Sequence, residues 1–267
     1  MQELKDRPAR APGAPPAPRH RRRGRRPWPA AAGAALAVAS AGLVTWTVAA
    51  PHPRPDAAAT GVAAPAAATP QAERPHAPVA GGRPQPPLVT VPRSAGGRYG
   101  VVTEPADPPR GPGEVVRYLV EVERGLPFSP AGFAAAVHRV LNDPRGWGRG
   151  ATMRFTRVAR GPVRFRVSLS SPAMTDRMCR PLITRGRVSC HAGGRSVINA
   201  RRWGQGAPPY GRDLAGYREY LINHEVGHAL GHGHRVCPGP GRPAPVMVQQ
   251  TKSLYGCRAN PWPYPRG

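Results

Sequence analysis

The chain has 267 residues and a formal net charge of +25, with 37 Pro and 32 Gly making about a quarter of it. So much Pro and Gly marks unstructured sequence, yet Trp, Tyr, Leu and Val return in strength after Tyr99, so the composition describes an unstructured half followed by one domain's worth of folded chain. This excludes a two-domain enzyme, a repeat array and a multi-spanning membrane protein, since no period recurs and only one long uncharged stretch exists.

Residues 1–29 open the chain with nine basic side chains against Glu3 and Asp6 in the first 26 positions. The uncharged run from Ala30 to Ala50 follows. Twenty-one residues at about 1.5 Å each can span a hydrocarbon core of about 30 Å, and the basic flank keeps the N-terminus in the cytoplasm. The run therefore reads as a signal-anchor, giving a single-pass membrane protein with its domain outside the cytoplasm. A secreted product after signal cleavage is the alternative, because the run is weakly apolar and ends in small residues. Residues 51–98 are rich in Pro and Ala, nearly lack large apolar side chains, and read as a disordered linker.

The folded part is expected over residues 99–267. Val115 to Val122 alternates as a strand, and Pro130 opens an amphipathic helix in which Phe133, Val137, Val140 and Leu141 share a face, ending near Asn142 to Gly146. Strands follow near Met153–Val158 and Val163–Leu169, then a turn-rich segment with short strands at Arg187–Cys190 and Ser196–Ala200. Asp213 is a plausible N-cap for a helix whose Leu214, Tyr217, Leu221, His224 and His228 form one stripe.

All four cysteines, Cys179, Cys190, Cys237 and Cys257, lie in this half. An even count beyond a membrane signal points to disulfides formed in an oxidising compartment. Of the three possible connectivities, sequence proximity favours Cys179 with Cys190 and Cys237 with Cys257. Zinc ligation by these cysteines is disfavoured, since there is no CxxC pair.

The stretch from His224 to His234 reads HEVGHALGHGH. Residues four apart on a helix differ by about 40° and about 6 Å, so His224 and His228 can aim imidazoles at one ion. Glu225 beside them can reach a metal-bound water and take its proton without ligating. Gly231 ends the helix in a left-handed conformation, which lets His234 approach from another direction. Three neutral imidazoles leave a fourth position open, the arrangement of a catalytic zinc site. His232, between two glycines, reads as solvent-facing or supporting; His138 and His191 carry no metal role in this reading.

These positions match the signature HExxHxxGxxH, and the chain thereby resembles the metzincin zinc endopeptidases. More narrowly it resembles a group of membrane-anchored or secreted bacterial proteins, of unknown function, with a metzincin-like core, on Tyr220 to Cys237, Pro245-Val246-Met247 and Asn260-Pro261-Trp262. The resemblance implies an α+β fold with a mixed twisted sheet, a backing helix, an active-site helix, and a small C-terminal subdomain whose Met-turn is Met247. It implies one catalytic Zn2+ on His224, His228 and His234, with Glu225 as general base. Some metzincins add a tyrosine ligand two residues after this Met; here Gln249 stands there, with Tyr255 further on. In that family an outer strand pairs with the substrate, and Ser196–Ala200 is the segment expected to do so, unless it is an ordinary core strand.

The resulting expectation is an extracytoplasmic zinc-dependent peptidase acting on peptide or protein substrates. The alternative is a catalytically silent zinc-containing binding module of the cell envelope. Residues 99–267 carry 25 basic and 10 acidic side chains, a balance of +15, which would favour anionic envelope polymers or acidic substrates. No specific nucleic-acid partner is expected, because the arginines of the N-terminus sit where a topology signal belongs and Arg outnumbers Lys throughout as a compositional bias.

Overall fold

The structure is a computed structural model describing residues 78–266. The expected membrane segment, residues 30–50, and the basic N-terminus lie outside the described residues, and among the described ones no helix is long and apolar enough to cross a membrane.

The chain enters through a two-residue hairpin, β1 (Val79–Ala80) and β2 (Arg83–Pro84). It continues through β3 (Tyr99–Val101) to the long strand β4 (Glu114–Glu123). In β4, Val116, Tyr118, Val120 and Val122 face one side and are all buried, and from Tyr118 onward the other face, with Leu119, Glu121 and Glu123, is buried as well. Helix α1 (Pro130–Leu141) follows, with Ser129 as N-cap accepting from Gly132 N–H and Asn142 at its C-cap. Then come β5 (Met153–Arg157), β6 (Phe165–Ser170), α2 (Pro172–Met178), β7 (Cys190–Ala192), β8 (Arg195–Asn199) and α3 (Ala200–Gln205). The last helix, α4, runs from Leu214 to Ala229.

The fold is mixed α+β. One six-stranded sheet has the order β3-β4-β6-β8-β7, with β5 paired to the first half of β4. The pairs β4/β5, β4/β6 and β6/β8 are parallel, while β3 and β7 are antiparallel edges. Phe133, Val137 and Leu141 of α1 and Tyr217 and Leu221 of α4 join Tyr118, Val120, Phe155, Phe165 and Ile198 of the sheet in one apolar core. The other face of β4 holds a buried charge: Glu121 accepts from Ser168 Oγ and Arg195 Nε, each at 2.6 Å.

Three expectations need correction. The linker ends before residue 98, because residues 78–98 are a strap against the domain. Gln85 is buried, accepts from Ala215 N–H with its Oε1 and donates to Asp213; Arg83 makes a bidentate pair with Glu219 at 2.6 and 2.9 Å; and Val89 N–H donates to the Gly204 carbonyl. Besides these polar and backbone contacts only Val91 and Ala95 pack against the apolar core, too few for a count of large apolar residues to register the strap. Second, of the two readings of Ser196–Ala200 the outer strand falls and the core strand holds: β8 is paired on both sides, to β6 and β7, and the edge is β7. Third, α4 has more than one buried stripe, since every residue from Tyr220 to Gly227 is buried.

Both disulfides are those favoured by proximity, Cys179–Cys190 and Cys237–Cys257. Cys179 and Cys190 pack with Val197 in a small cluster that fastens the turn-rich segment after α2 to the sheet. A Cys179→Ser/Cys190→Ser double variant is expected to lose about 2–4 kcal/mol of unfolding free energy in chemical denaturation; an unchanged midpoint would show that the sheet holds this segment without the bridge.

Candidate metal centre

Helix α4 carries two histidines one turn apart. His224 Nδ1 lies 2.9 Å from the Val246 carbonyl, and His228 Nδ1 lies 2.8 Å from the His232 carbonyl. A carbonyl only accepts, so each Nδ1 bears the proton and each neutral ring keeps a lone pair on Nε2. His234 comes from the loop beyond the helix. One ring nitrogen from each of His224, His228 and His234 lies within 4.8 Å of the others, and His228 Nε2 and His234 Nε2 are 3.2 Å apart.

Two ligands on one tetrahedral ion with bonds of about 2.0–2.1 Å stand about 3.3 Å apart, so this spacing suits a shared metal. Burial holds His224 far below the usual imidazole range, to about 3, and lowers His228 and His234 as well, which keeps the lone pairs available. Glu225 is buried next to His224, its carboxyl pushed up to about 8 by burial alone, and its Oε2 has no hydrogen-bond partner among the described residues. An orphaned carboxylate oxygen facing the same cleft as three imidazoles is the place where a water held by an ion would complete the hydrogen bonding.

The turn that delivers His234 is built by backbone. Gly231 has φ +94°, its N–H donates to the His228 carbonyl, and His232 N–H donates to the Gly227 carbonyl, which is the Schellman ending that a C′ glycine permits. The His232 ring stacks on Trp147 at 4.2 Å between centroids, while its carbonyl orients His228. His232 thus supports His228 from a solvent-exposed position. Arg235 N–H donates to the Met247 carbonyl, tying the His234 loop to the segment below the helix.

That segment fills the space under α4. A Cβ on Gly227 would stand 2.5 Å from Met247 Sδ and 2.8 Å from Trp147 Cζ2, so Gly227 is the position that lets Met247 close against the ligand helix. Tyr220 Oη donates to the Val248 carbonyl and accepts from Gln250 N–H. Gln250 in turn accepts from Tyr210 Oη and Asn260 N–H, and Asn260 Nδ2 reaches the Ala244 and Trp262 carbonyls. Gln249 lines the cleft, whereas Tyr255 is 59% exposed and does not.

The cleft has a volume of about 450 Å³. Its floor is His224, Glu225, His228 and His234, and its walls are the 182–191 segment on one side and Gln249, Thr251 and Lys252 on the other. Three of its structural features had no signal in the sequence. Trp147 sits in a Gly- and Arg-rich loop without periodicity, Gly227 is a variable position of the motif, and His191 reaches the site only because β7 is the sheet edge.

A family model described as Protein of unknown function (DUF3152) matches residues 85–265. The chain belongs to the DUF3152 family. No curated protein and no solved structure gives a significant match. The matched range begins at Gln85, which caps the start of α4, so the strap from residue 85 onward is part of the DUF3152 domain, as are all the site residues above. The family description carries no chemistry, and the reading of the site rests on its residues.

A Gly227→Ala variant of this DUF3152 domain is expected to lose about 1–3 kcal/mol of stability from overpacking against Met247 and Trp147, and to bind metal more weakly. Thermal denaturation with and without added zinc measures both; a variant equal to the parent in both would show that the contact relaxes without cost.

Proposed function

We propose that the chain is a metzincin-like zinc peptidase working outside the cytoplasm. The observation that carries this reading is the convergence of three imidazoles, two of them held by carbonyls in the tautomer that frees Nε2, on one cleft lined also by Glu225, whose buried Oε2 is unpaired. His224, His228 and His234 would hold the zinc. The ion, when bound, supplies a Lewis acid that polarises a scissile carbonyl and brings the pKa of water towards neutrality.

The chain's own residues supply the rest. Glu225 takes a proton from the attacking water on Oε2 and returns it to the departing amine; a carboxyl that burial has moved towards neutral pH is suited to both transfers. The carbonyls of Val246 and His232 fix the two helix histidines in the tautomer that leaves Nε2 free. Substrate would lie extended along β7, the sheet edge whose Cys190 and His191 line the cleft, adding a strand beside the metal. Met247 takes the Met-turn position beneath the site.

The two disulfides support an oxidising compartment. With the basic N-terminus and the apolar run at 30–50, that favours a domain held outside the cytoplasmic membrane. Its excess of arginine favours contact with anionic envelope polymers or acidic substrates.

The test is cleavage of a mixed peptide library by the full chain loaded with zinc, read by mass spectrometry. Glu225→Ala is expected to keep its zinc and lose turnover by about 10²–10⁴-fold, the usual worth of general acid–base catalysis. His228→Ala should lose both. Cleavage by the Glu225→Ala chain at the parent rate would sink the mechanism, and zinc retention without cleavage by the parent would leave a metal-holding binding module.

A further inference from the structure

A groove of about 460 Å³ lies behind α4, between that helix, α1 and the strap at residues 83–86. At about 100° per residue, Glu219 and Ile222 lie on the side of the helix away from His224 and His228, and no residue lines both the groove and the metal cleft, so the two are separate. Its walls include Trp203, Trp262 and Ile222.

The charges in the groove do not balance. Glu219 is taken by Arg83 in a bidentate pair, and Asp143 by Arg145 at 2.9 Å. Arg139 and Arg218 also face the groove, and neither has a carboxylate partner among the described residues. Arg218 is held in place: its Nε donates to the Trp203 carbonyl at 2.7 Å, and its guanidinium lies 4.8 Å over the Trp203 ring. Its two terminal nitrogens have no hydrogen-bond partner among the described residues. Burial without a compensating acid pulls this guanidinium down to about 10. A guanidinium held in place by Trp203, with its terminal nitrogens open to the groove and no counter-ion, presents a fork of donors that an oxyanion fits.

We propose that this groove binds a small oxyanion, a carboxylate or a phosphate, on a flat or apolar body, with Arg218 as its bidentate donor and Arg139 as a second charge. The aromatic walls receive the body. The site does not depend on the peptidase reading.

Isothermal titration of the full chain at low ionic strength tests it, with inorganic phosphate and benzoate as separate probes. Saturable binding of at least one probe is expected. It should weaken about tenfold or more in Arg218→Leu, where the charge-assisted pair is gone but an apolar stem remains, and several-fold in Arg139→Ala, an exposed position. Because either probe could also meet a metal, the titration is repeated on His228→Ala, where groove binding should persist. Preference for phosphate or for benzoate selects the head group, and either result supports the site. Absence of saturable binding, affinity unchanged in both arginine variants, or loss of binding in His228→Ala overturns it. Zinc content measured on the same samples keeps a failure of the metal centre distinct from a failure of the groove.

Discussion

A helix buried on nearly every side while carrying Asn223, His224 and Glu225 must have its polar side chains satisfied by other parts of the chain. This constraint shapes the C-terminal half. Val246 turns its carbonyl to His224, Pro261 its carbonyl to Asn223 Nδ2, and Trp147 donates from Nε1 to the Asn223 carbonyl. Ser196 on β8 donates to the carbonyl of Glu225, coupling the sheet to the same turn of helix. Of the buried side-chain nitrogens and oxygens of α4 among the described residues, Glu225 Oε2 and Asn223 Oδ1 are left unpaired, and of the two residues Glu225 alone lines the cleft.

The polar network around Gln250 and Asn260 follows from the same need. Residues 244–262 have no regular secondary structure, so their backbone groups require partners from side chains. Gln250 and Asn260 bond to each other's backbone or side-chain groups and to the loop carbonyls, while Tyr210 and Tyr220 add hydroxyls from across the core. A loop fixed in this way can present the Val246 carbonyl at one position and hold Met247 against Gly227. The Cys237–Cys257 bridge closes the far end of the same loop and keeps the His234 segment near it.

The cluster of three histidines was legible because a helix converts sequence spacing into geometry: His224 and His228 four apart, then a glycine that turns the chain to His234. Strands β4, β5 and β6 and helix α1 were legible for a similar reason, as their apolar residues repeat at the period of the element. What escaped depends on partners distant in sequence. The strap at 78–98 looks like linker because it docks mainly through Arg83, Gln85 and backbone groups, with only Val91 and Ala95 reaching the apolar core. Strand β8 read equally as an edge or as a core strand, because nothing in its own residues reveals β7 on its far side. The helices α2 and α3 span 7 and 6 residues, too short to show a period. The all-round burial of α4 comes from Trp147 and the C-terminal segment, neither of which can be aligned with it by spacing.

The central claim is that His224, His228 and His234 hold one ion whose remaining position faces Glu225. X-ray absorption at the zinc edge of the purified full chain tests this directly. The account predicts one zinc per chain with nitrogen and oxygen neighbours at about 2.0–2.1 Å, including an imidazole signature equivalent to three rings, and its loss in His228→Ala. Sulfur neighbours at about 2.3 Å, or no zinc retained at stoichiometric level by the parent chain, would contradict it.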